Sequence, residues 1–193
     1  MKIGLCGGTF DPFHRGHLDP ILAVRETMQW DRVIWIPAYV QPFKRDVETA
    51  SPFHRFTMAV LATEPYDDFY VSTQELERGE ISYTVETLRQ LRAQYPNATF
   101  DWIIGDDNLE KLHQWKSIDE IFQLATIVVL SRIGPIRPMS PIGPIKFAEN
   151  STVPISATEI RLRIREGRSI EDLVDARVSR YIQHYGLYRK GQS

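Results

Sequence analysis

The sequence predicts an α/β fold in which a doubly wound parallel sheet is followed by a small C-terminal helical extension. Short apolar runs alternate along the chain with longer amphipathic ones, as strands and helices do in such sheets. The runs Val33–Ile36 and Ile127–Leu130 are apolar at every position, as expected for strands that helices cover on both faces. A chain of 193 residues fits one domain, 1–193, with a core over 1–150 and the helical part over 151–193.

The predicted elements follow one another in regular order. The strands are the apolar runs bounded by glycine, proline or polar residues: Lys2–Cys6, Arg32–Pro37, Phe69–Thr73, Thr99–Gly105, Thr126–Ser131 and a short one at Ile145–Ala148. The helices are the amphipathic segments between and after them: Gly16–Met28, Pro52–Thr63, Tyr83–Gln94, a broken stretch from Asn108 to Leu124, Ala157–Glu166 and Ala176–Tyr185.

Serine marks three of the predicted helix starts. Ser51 is followed by a proline, which suits the first helical position. The segments Ser117–Glu120 and Ser156–Glu159 each fit the capping box, in which a serine and a glutamate three residues apart pair with the first free amides. The segment Ile133–Ile145 is rich in proline and glycine, and it is predicted to be an irregular connector.

Composition limits the classes of partner. The formal net charge of -2 argues against a dedicated nucleic-acid surface, although a local phosphate site would not show in that total. No apolar run approaches the ~20 residues that span a bilayer, and glycines and Asp11-Pro12 directly follow the first apolar run. We therefore expect no membrane segment, no signal peptide and a cytoplasmic protein. The single cysteine, Cys6, excludes an internal disulfide and is interpreted as a buried core residue.

The segment Gly7–His17 joins the first strand to the first helix and carries two glycines and two histidines. In open parallel sheets, ligands bind beyond the carboxyl ends of the strands, beside helix N-termini. Gly7 and Gly8 would let the backbone approach a polyphosphate closely. His14 and His17, three residues apart at a helix start, would face the same side and donate hydrogen bonds to phosphate oxygens. A pair of surface histidines, or half of a metal site, is the alternative.

A second polar cluster lies late in the chain, at the start of a predicted helix. Ser156 and Thr158 supply hydroxyl groups, and Arg161 follows one turn into the helix. Free amides at a helix N-terminus, hydroxyls and a guanidinium together suit a phosphate group. The alternative is a serine cap beside an arginine exposed to solvent.

These two segments resemble the signatures of a known superfamily. Gly7–His17 is similar to the H-x-G-H signature of nucleotidyltransferases related to class I aminoacyl-tRNA synthetases, and specifically to its adenylyltransferase branch. Ile155–Arg161 resembles the second signature, I-S-S-T-x-I-R, with Ala157 in place of one serine. The resemblance implies a Rossmann-like fold that binds ATP. The positions that it assigns to ATP are Gly7, Gly8, Thr9, Phe10, His14, His17, Gly105, Asp107, Ser156, Thr158 and Arg161.

Two further segments resemble the bacterial nicotinate mononucleotide adenylyltransferases. Ser82–Thr87 is similar to their S-Y-T-x-x-T helix start, where the backbone around Tyr83 and Thr84 receives the nicotinate carboxylate. A later G-x-D…W segment is similar too, in which Asp107 would bind a ribose hydroxyl and Trp115 would stack on the pyridine ring. An ordinary helix cap and a core tryptophan are the alternatives.

The loop after the second strand supports the same family with one departure. Lys44 stands where the family has the lysine of Pro-His-Lys and would neutralise phosphate, whereas Phe43 replaces the histidine. Lys116, beside the predicted stacking tryptophan, also differs from the family's usual side chain. The segment Arg55–Met58 matches R-x-x-M, and Val178–Tyr188 resembles the C-terminal helix. The resemblance therefore covers nearly the whole chain.

The resemblance implies adenylyl transfer from ATP to nicotinate mononucleotide, giving nicotinate adenine dinucleotide and pyrophosphate in NAD biosynthesis. The catalytic groups it names are His14, His17, Lys44 and Arg161, and those expected at nicotinate mononucleotide are Lys44, Tyr83, Thr84 and Trp115. Mg²⁺ would be held mainly by the ATP phosphates and water, without a protein metal site. The sequence leaves the oligomeric state open, a homo-oligomer included.

Three alternatives remain for the activity. A phosphopantetheine adenylyltransferase or a cytidylyltransferase would keep the chemistry and change the acceptor. A nucleotide-binding module without catalysis belongs to another class. A dinucleotide-dependent dehydrogenase is disfavoured, because the G-x-G-x-x-G fingerprint is absent.

Overall fold

The computed structural model describes residues 1–43, 47–131, 143–150 and 155–189. The strands are β1 (Lys2–Gly8), β2 (Arg32–Pro37), β3 (Phe69–Val71), β4 (Thr99–Gly105), β5 (Thr126–Ser131) and β6 (Ile145–Glu149). The helices are α1 (Arg15–Met28), α2 (Pro52–Thr63), α3 (Gln74–Arg78), α4 (Thr84–Gln94), α5 (Ile118–Leu124), α6 (Ala157–Arg165) and α7 (Ala176–Tyr185). A 3₁₀ helix, Asp106–Gln114, lies between β4 and α5.

The six strands form one sheet in the order β3-β2-β1-β4-β5-β6, and every neighbouring pair is parallel. The chain runs outward from β1 to β3, returns to the centre at β4 and then runs outward to β6. The order therefore reverses between β1 and β4, which is the position where open α/β sheets bind their ligands. The doubly wound, Rossmann-like parallel sheet predicted from the sequence is confirmed.

Successive residues of each inner strand point alternately into two hydrophobic cores, one on each face of the sheet. In β2, Val33 and Trp35 pack into the core that α1, α2 and α7 cover, whereas Ile34 and Ile36 pack into the core under α4 and α5. The period of two follows from the pleat of a strand, and burial on both faces explains why the strand has no polar face. The continuous apolar runs of the sequence are thus strands between two layers of helices.

The structure moves several predicted boundaries. β1 continues two residues beyond Cys6, because Gly7 and Gly8 still pair with β2. The strand predicted to reach Thr73 ends at Val71, and β6 extends to Glu149. The five-residue helix α3 was not predicted, since it is too short to show a helical period. Three helix ends, those of α1, α4 and α6, differ by one residue from the predicted positions.

The cap predictions have mixed outcomes. Ser51 is confirmed as a cap, since its hydroxyl accepts a hydrogen bond from the amide of His54 at 3.3 Å. Both capping boxes are wrong, because the side chains of Ser117 and Ser156 make no cap hydrogen bond. Ser117 adopts a left-handed conformation with φ 54, which fits the sharp turn from the 3₁₀ helix into α5. That 3₁₀ helix also begins earlier than the predicted stretch from Asn108.

The C-terminal part of the chain adds two helices, α6 and α7, to the α/β fold. Most of the predicted connector Ile133–Ile145 lies outside the described residues. Within the described part of the chain, no helix combines the length and the apolarity needed to cross a membrane.

Candidate active site

The two central strands separate at their carboxyl ends. β1 and β4 pair only as far as Leu5 and Trp102, although β1 continues to Gly8 and β4 to Gly105. Because the strand order also reverses here, the gap between the two strand ends is the natural ligand crevice of the fold. Both signature segments start or end at this edge of the sheet.

Gly7 and Gly8 are needed for space rather than for an unusual backbone conformation. A Cβ atom on Gly7 would lie 2.7 Å from the Trp102 ring, and one on Gly8 would lie 2.7 Å from the Phe10 ring. Neither glycine has a positive φ, whereas Phe10 does, at 53°. The Phe10 ring is buried against Phe13 and other core aromatics, so only its backbone is available to a ligand.

The two histidines stand together at the start of α1. His14 is the N-cap residue, and its ring stacks on that of His17 with 3.6 Å between centroids. The backbone amide of His14 donates to Nδ1 of His17 at 3.3 Å. This bond places the proton of a neutral His17 ring on Nε2, the donor that a phosphate oxygen would need. His14 is buried and His17 is partly exposed, so a ligand would meet His17 first.

Gly16 lets the second signature approach the first. A Cβ atom there would lie 2.9 Å from the Cβ of Ile155 and 3.0 Å from Nδ1 of His14. Ile155 directly precedes the N-cap residue of α6, Ser156. Since a larger residue would push α1 and this segment apart, Gly16 fixes how closely the two signatures meet.

Arg161 links the two signatures directly. Its guanidinium donates to the backbone carbonyl of Asp11 at 2.6 Å, lies 3.8 Å from the Asp11 carboxylate and donates to the Thr158 hydroxyl at 3.3 Å. Ser156 and Thr158 are exposed at the start of α6. The structure therefore brings His14, His17 and Arg161 to one edge of the sheet, although Arg161 follows His17 by 144 positions in the sequence.

A buried network that the sequence analysis missed holds the loop between β1 and α1. Asp11 is buried, and its Oδ1 accepts hydrogen bonds from the amide of Ala50 at 3.1 Å and from the hydroxyl of Tyr188 at 2.6 Å. Burial raises the pKa of Tyr188, and the neighbouring Asp11 charge raises it further. The hydroxyl of Tyr188 therefore keeps its proton and donates the hydrogen bond to Asp11.

Arg55 completes this network as a buried cation. Its side chain donates to four backbone carbonyls, those of Thr9, Ala38, Tyr39 and Ala50. Burial lowers the pKa of the guanidinium, while the nearby Asp11 carboxylate opposes that shift. The signal for this role was the R-x-x-M match at Arg55, which the sequence alone could not connect to the carbonyls it binds.

Replacing Tyr188 by Phe is expected to destabilise the protein by about 1–3 kcal/mol, because the buried Asp11 carboxylate loses its hydroxyl donor while the ring volume stays. Urea unfolding would measure the change. Tyr70→Phe is the matched control, since Tyr70 is 44% exposed and should change stability little. Equal stability of both variants would show that the Asp11 contact does not hold the loop.

The predicted acceptor side lies around the start of α4. The hydroxyl of Ser82 accepts from the amide of Tyr39 at 3.0 Å, and the amide of Ser82 donates to the Val40 carbonyl at 2.9 Å. These bonds join the end of β2 to the residue before Tyr83, the N-cap of α4. A cavity of about 620 Å³ lies against this junction, with Tyr83, Arg78 and other side chains in its wall.

Two charged side chains of this cavity pair with each other. Nζ of Lys116 lies 2.8 Å from the Glu86 carboxylate and 4.6 Å from the centre of the Tyr83 ring. The hydrogen bond from Lys116 is the main cause of the lowered pKa of Glu86. Thr84 and Trp115 are not among the described residues that line the cavity, although Trp115 packs with Tyr83 against the same core.

The remaining predicted residues fall into two groups. Asp107 is exposed and folds back over the end of β4, so that a Cβ atom on Gly105 would lie 2.6 Å from its Oδ1. Lys44 lies outside the described residues, and its neighbour Phe43 is half-exposed. Within the described residues, no three His, Cys, Asp or Glu side chains are grouped so that they could hold a metal ion.

Comparison with known proteins shows to which class of protein the chain belongs. A family model described as "Cytidylyltransferase-like" matches residues 5–163, a span that contains both signatures. The chain is therefore a nucleotidyltransferase of that class.

Curated relatives narrow the class to one family. A protein of Opitutus terrae is 38% identical over 195 residues, covering 100% of both chains, and one of Tropheryma whipplei (strain Twist) is 40% identical over 183 residues, covering 95% of this chain and 97% of the relative. Both bear the name "Probable nicotinate-nucleotide adenylyltransferase". The chain belongs to the nicotinate-nucleotide adenylyltransferase family.

Solved structures agree with the fold. The nicotinic acid mononucleotide adenylyltransferase of Plasmodium falciparum, solved in complex with NaAD, superposes with a TM-score of 0.80 at 18% identity, covering 97% of each chain. At this identity the similarity concerns the architecture alone.

Proposed function

We propose that the protein transfers the adenylyl group of ATP to nicotinate mononucleotide, releasing pyrophosphate and forming nicotinate adenine dinucleotide. The observation that carries the proposal is the meeting of the two signatures at the strand-order reversal, where Arg161 contacts the loop that ends at His14. The relatives named for this activity span the whole chain. The acceptor assignment rests on those relatives and on the cavity at α4.

The reaction is an in-line displacement at the α-phosphorus of ATP. A phosphate oxygen of the acceptor forms the new P–O bond, and the bond from the α-phosphorus to the bridging oxygen of pyrophosphate breaks. No covalent intermediate is required. Cys6 offers none, because it is buried and burial raises the pKa of its thiol. Catalysis therefore consists of positioning and of charge stabilisation.

The phosphate chain is proposed to lie between the start of α1 and the start of α6. Nε2 of His17 would donate to an oxygen of the α-phosphate as charge accumulates there, with His14 held against it by stacking. Ser156, Thr158 and the guanidinium of Arg161 would receive the two terminal phosphates. Lys44 is proposed to neutralise phosphate from the loop after β2.

Mg²⁺ is proposed to enter with ATP, coordinated by phosphate oxygens and water. The described residues offer no carboxylate cluster that would form a separate cage for the ion. When bound, the ion would neutralise charge on the pyrophosphate leaving group.

The acceptor is proposed to bind from the α4 side of the crevice. The amide of Tyr83 donates to the Ile81 carbonyl at 3.1 Å. The first amides of a helix have no carbonyl within the helix to bond, so beside Tyr83 it is the amide of Thr84, the first residue of α4, that suits a carboxylate. Trp115 is proposed to stack on the pyridine ring, and Asp107 to accept from a ribose hydroxyl at the end of β4.

Pyrophosphate release with ATP, Mg²⁺ and a panel of acceptors tests the proposal. We expect rapid release with nicotinate mononucleotide and formation of the dinucleotide on chromatography. Faster release with phosphopantetheine would reassign the acceptor and keep the chemistry. The absence of release with every acceptor, although ATP binds, would favour a binding module without catalysis.

Replacing Arg161 by Ala is expected to weaken ATP binding by roughly tenfold or more, because each charge-assisted hydrogen bond contributes about 1.5–3 kcal/mol net. Isothermal titration with a non-hydrolysable ATP analogue measures the affinity. Arg165→Ala, one turn further along α6 at an exposed position, is the control. Unchanged affinity in Arg161→Ala would limit this residue to its observed contacts with Asp11 and Thr158.

A further inference from the structure

Arg78, the last residue of α3, has a guanidinium that makes no hydrogen bond within the described part of the chain. It lies in the wall of the cavity beside α4. The three nitrogens of its guanidinium are withdrawn from solvent, and they have no hydrogen-bond partner in the described part of the chain. A cation removed from water without a hydrogen bond is strongly disfavoured, and a functional role or a bound ion is among the explanations for such a group.

Two of the nearby carboxylates, Glu86 and Glu75, have other hydrogen-bond partners. Glu86 receives hydrogen bonds from Lys116 at 2.8 Å and from Arg89 at 3.3 Å, so its charge is already balanced. Glu75 is buried and receives a hydrogen bond from the Thr87 hydroxyl, and burial raises the pKa of its carboxyl group. The Arg78 charge acts on both carboxylates, since it lowers the pKa of each, and Glu80 lines the same cavity. None of these described carboxylates receives a hydrogen bond from Arg78, so the N–H groups of the guanidinium are left without an acceptor.

The position of the cavity indicates which anion would complete the pair. The cavity wall also contains Tyr83, at the start of α4, where the proposed function places the pyridine ring of the acceptor. The proposed function places the phosphate chain of ATP with His14, His17 and Arg161, and none of these three residues lines the cavity. The anionic group expected near Arg78 is therefore the carboxylate of the ring.

We propose that Arg78 pairs with the pyridine carboxylate of the acceptor mononucleotide and is a specificity-determining residue for the acid over the amide. This inference rests on the proposed function. A guanidinium offers its N–H groups in a fork that matches a carboxylate, whereas a carboxamide presents an NH₂ group to the same donors. Loss of Arg78 should therefore affect the acid more than the amide.

The test compares steady-state kinetics of wild type and Arg78→Met with nicotinate mononucleotide and with nicotinamide mononucleotide. We expect KM for the acid to rise at least ~10-fold with kcat little changed, so that the acid-to-amide ratio of kcat/KM falls by ~10-fold or more. The Tm of the free protein should stay the same or rise, since the substitution removes a guanidinium that is withdrawn from water without a hydrogen bond. Arg78→Lys, which keeps the charge without the fork, should give an intermediate ratio.

Arg25→Met is the matched control, because Arg25 lies on α1, at the opposite face of the sheet, and pairs with Asp68 at 3.1 Å. Its acid-to-amide ratio should equal that of the wild type. An unchanged ratio in both Arg78 variants, or an equal loss with both acceptors accompanied by a lower Tm, would overturn the inference. A wild-type protein that transfers to neither acceptor would instead overturn the proposed function.

Discussion

Replacing His17 by Ala is expected to lower turnover by at least ~100-fold, as removal of one preorganised donor to developing charge commonly does. The hydrogen bond from the His14 amide to Nδ1 of His17 makes Nε2 the N–H group of that ring, and the partly exposed ring of His17 is the part of the pair that a ligand meets first. The effect should appear mainly in kcat, because the charge on the phosphate oxygens grows in the transition state.

His14→Ala is expected to lose turnover to a similar extent by a partly different route. His14 is 5% exposed and caps α1, so its removal takes away the stacked partner that orients His17 as well as a donor. Circular dichroism and the Tm of each variant separate loss of fold from loss of catalysis. His184→Ala, an exposed histidine on α7, is the control and should keep full turnover. Near-normal turnover in both test variants would show that the phosphate site is elsewhere.

Nicotinate mononucleotide is expected to be preferred over nicotinamide mononucleotide by ~100-fold or more in kcat/KM. Two charge-assisted hydrogen bonds to a carboxylate, each contributing ~1.5–3 kcal/mol, are enough for this ratio, since ~1.4 kcal/mol corresponds to tenfold. The positive end of the α4 dipole adds to the effect. A carboxamide in the same place leaves an NH₂ group facing donors, which costs further binding energy.

Steady-state kinetics with both mononucleotides at saturating ATP measures this preference. The Lys116–Glu86 ion pair favours the acid as well, because it offsets the charge of Glu86, one of the two carboxylates, with Glu80, that line this cavity and would repel a negatively charged ring substituent. Lys116→Met should therefore reduce the preference. Comparable efficiencies for the two acceptors in the wild type would exclude a carboxylate pocket and leave the adenylyl-transfer chemistry intact.

Most of the sheet could be predicted because its strands are buried on both faces. Three strands have the predicted bounds in the structure: Arg32–Pro37, Thr99–Gly105 and Thr126–Ser131. A short continuous apolar run between polar segments is typical of a strand that is buried on both faces. The short helix α3 was missed for the opposite reason. Its five residues are fewer than two helical turns, and Gly79, with φ 65, ends it before any period appears.

The sequence predicted only those parts of the candidate site whose residues lie close together in the chain. The spacing of His14 and His17 and the hydroxyls before Arg161 are visible in segments of a few residues. The capping boxes show the limit of this reasoning. Ser117–Glu120 has the residue types of a capping box. The chain turns sharply there, however, and the left-handed conformation of Ser117 excludes the cap hydrogen bond.

The sequence by itself determined the fold class, the class of chemistry and the residues that carry the signatures, because these depend on short-range periods and spacings. Only the tertiary structure decided which contacts join the signature segments. These are the close approach of Gly16 to Ile155 and the hydrogen bond from Tyr188 to Asp11, two residues that lie 177 positions apart in the chain. It also decided that the Arg78 guanidinium is withdrawn from solvent with no hydrogen-bond partner among the residues that the structure describes. These contacts and environments depend on the distances between segments that are remote in sequence, and a local pattern of residues does not determine those distances.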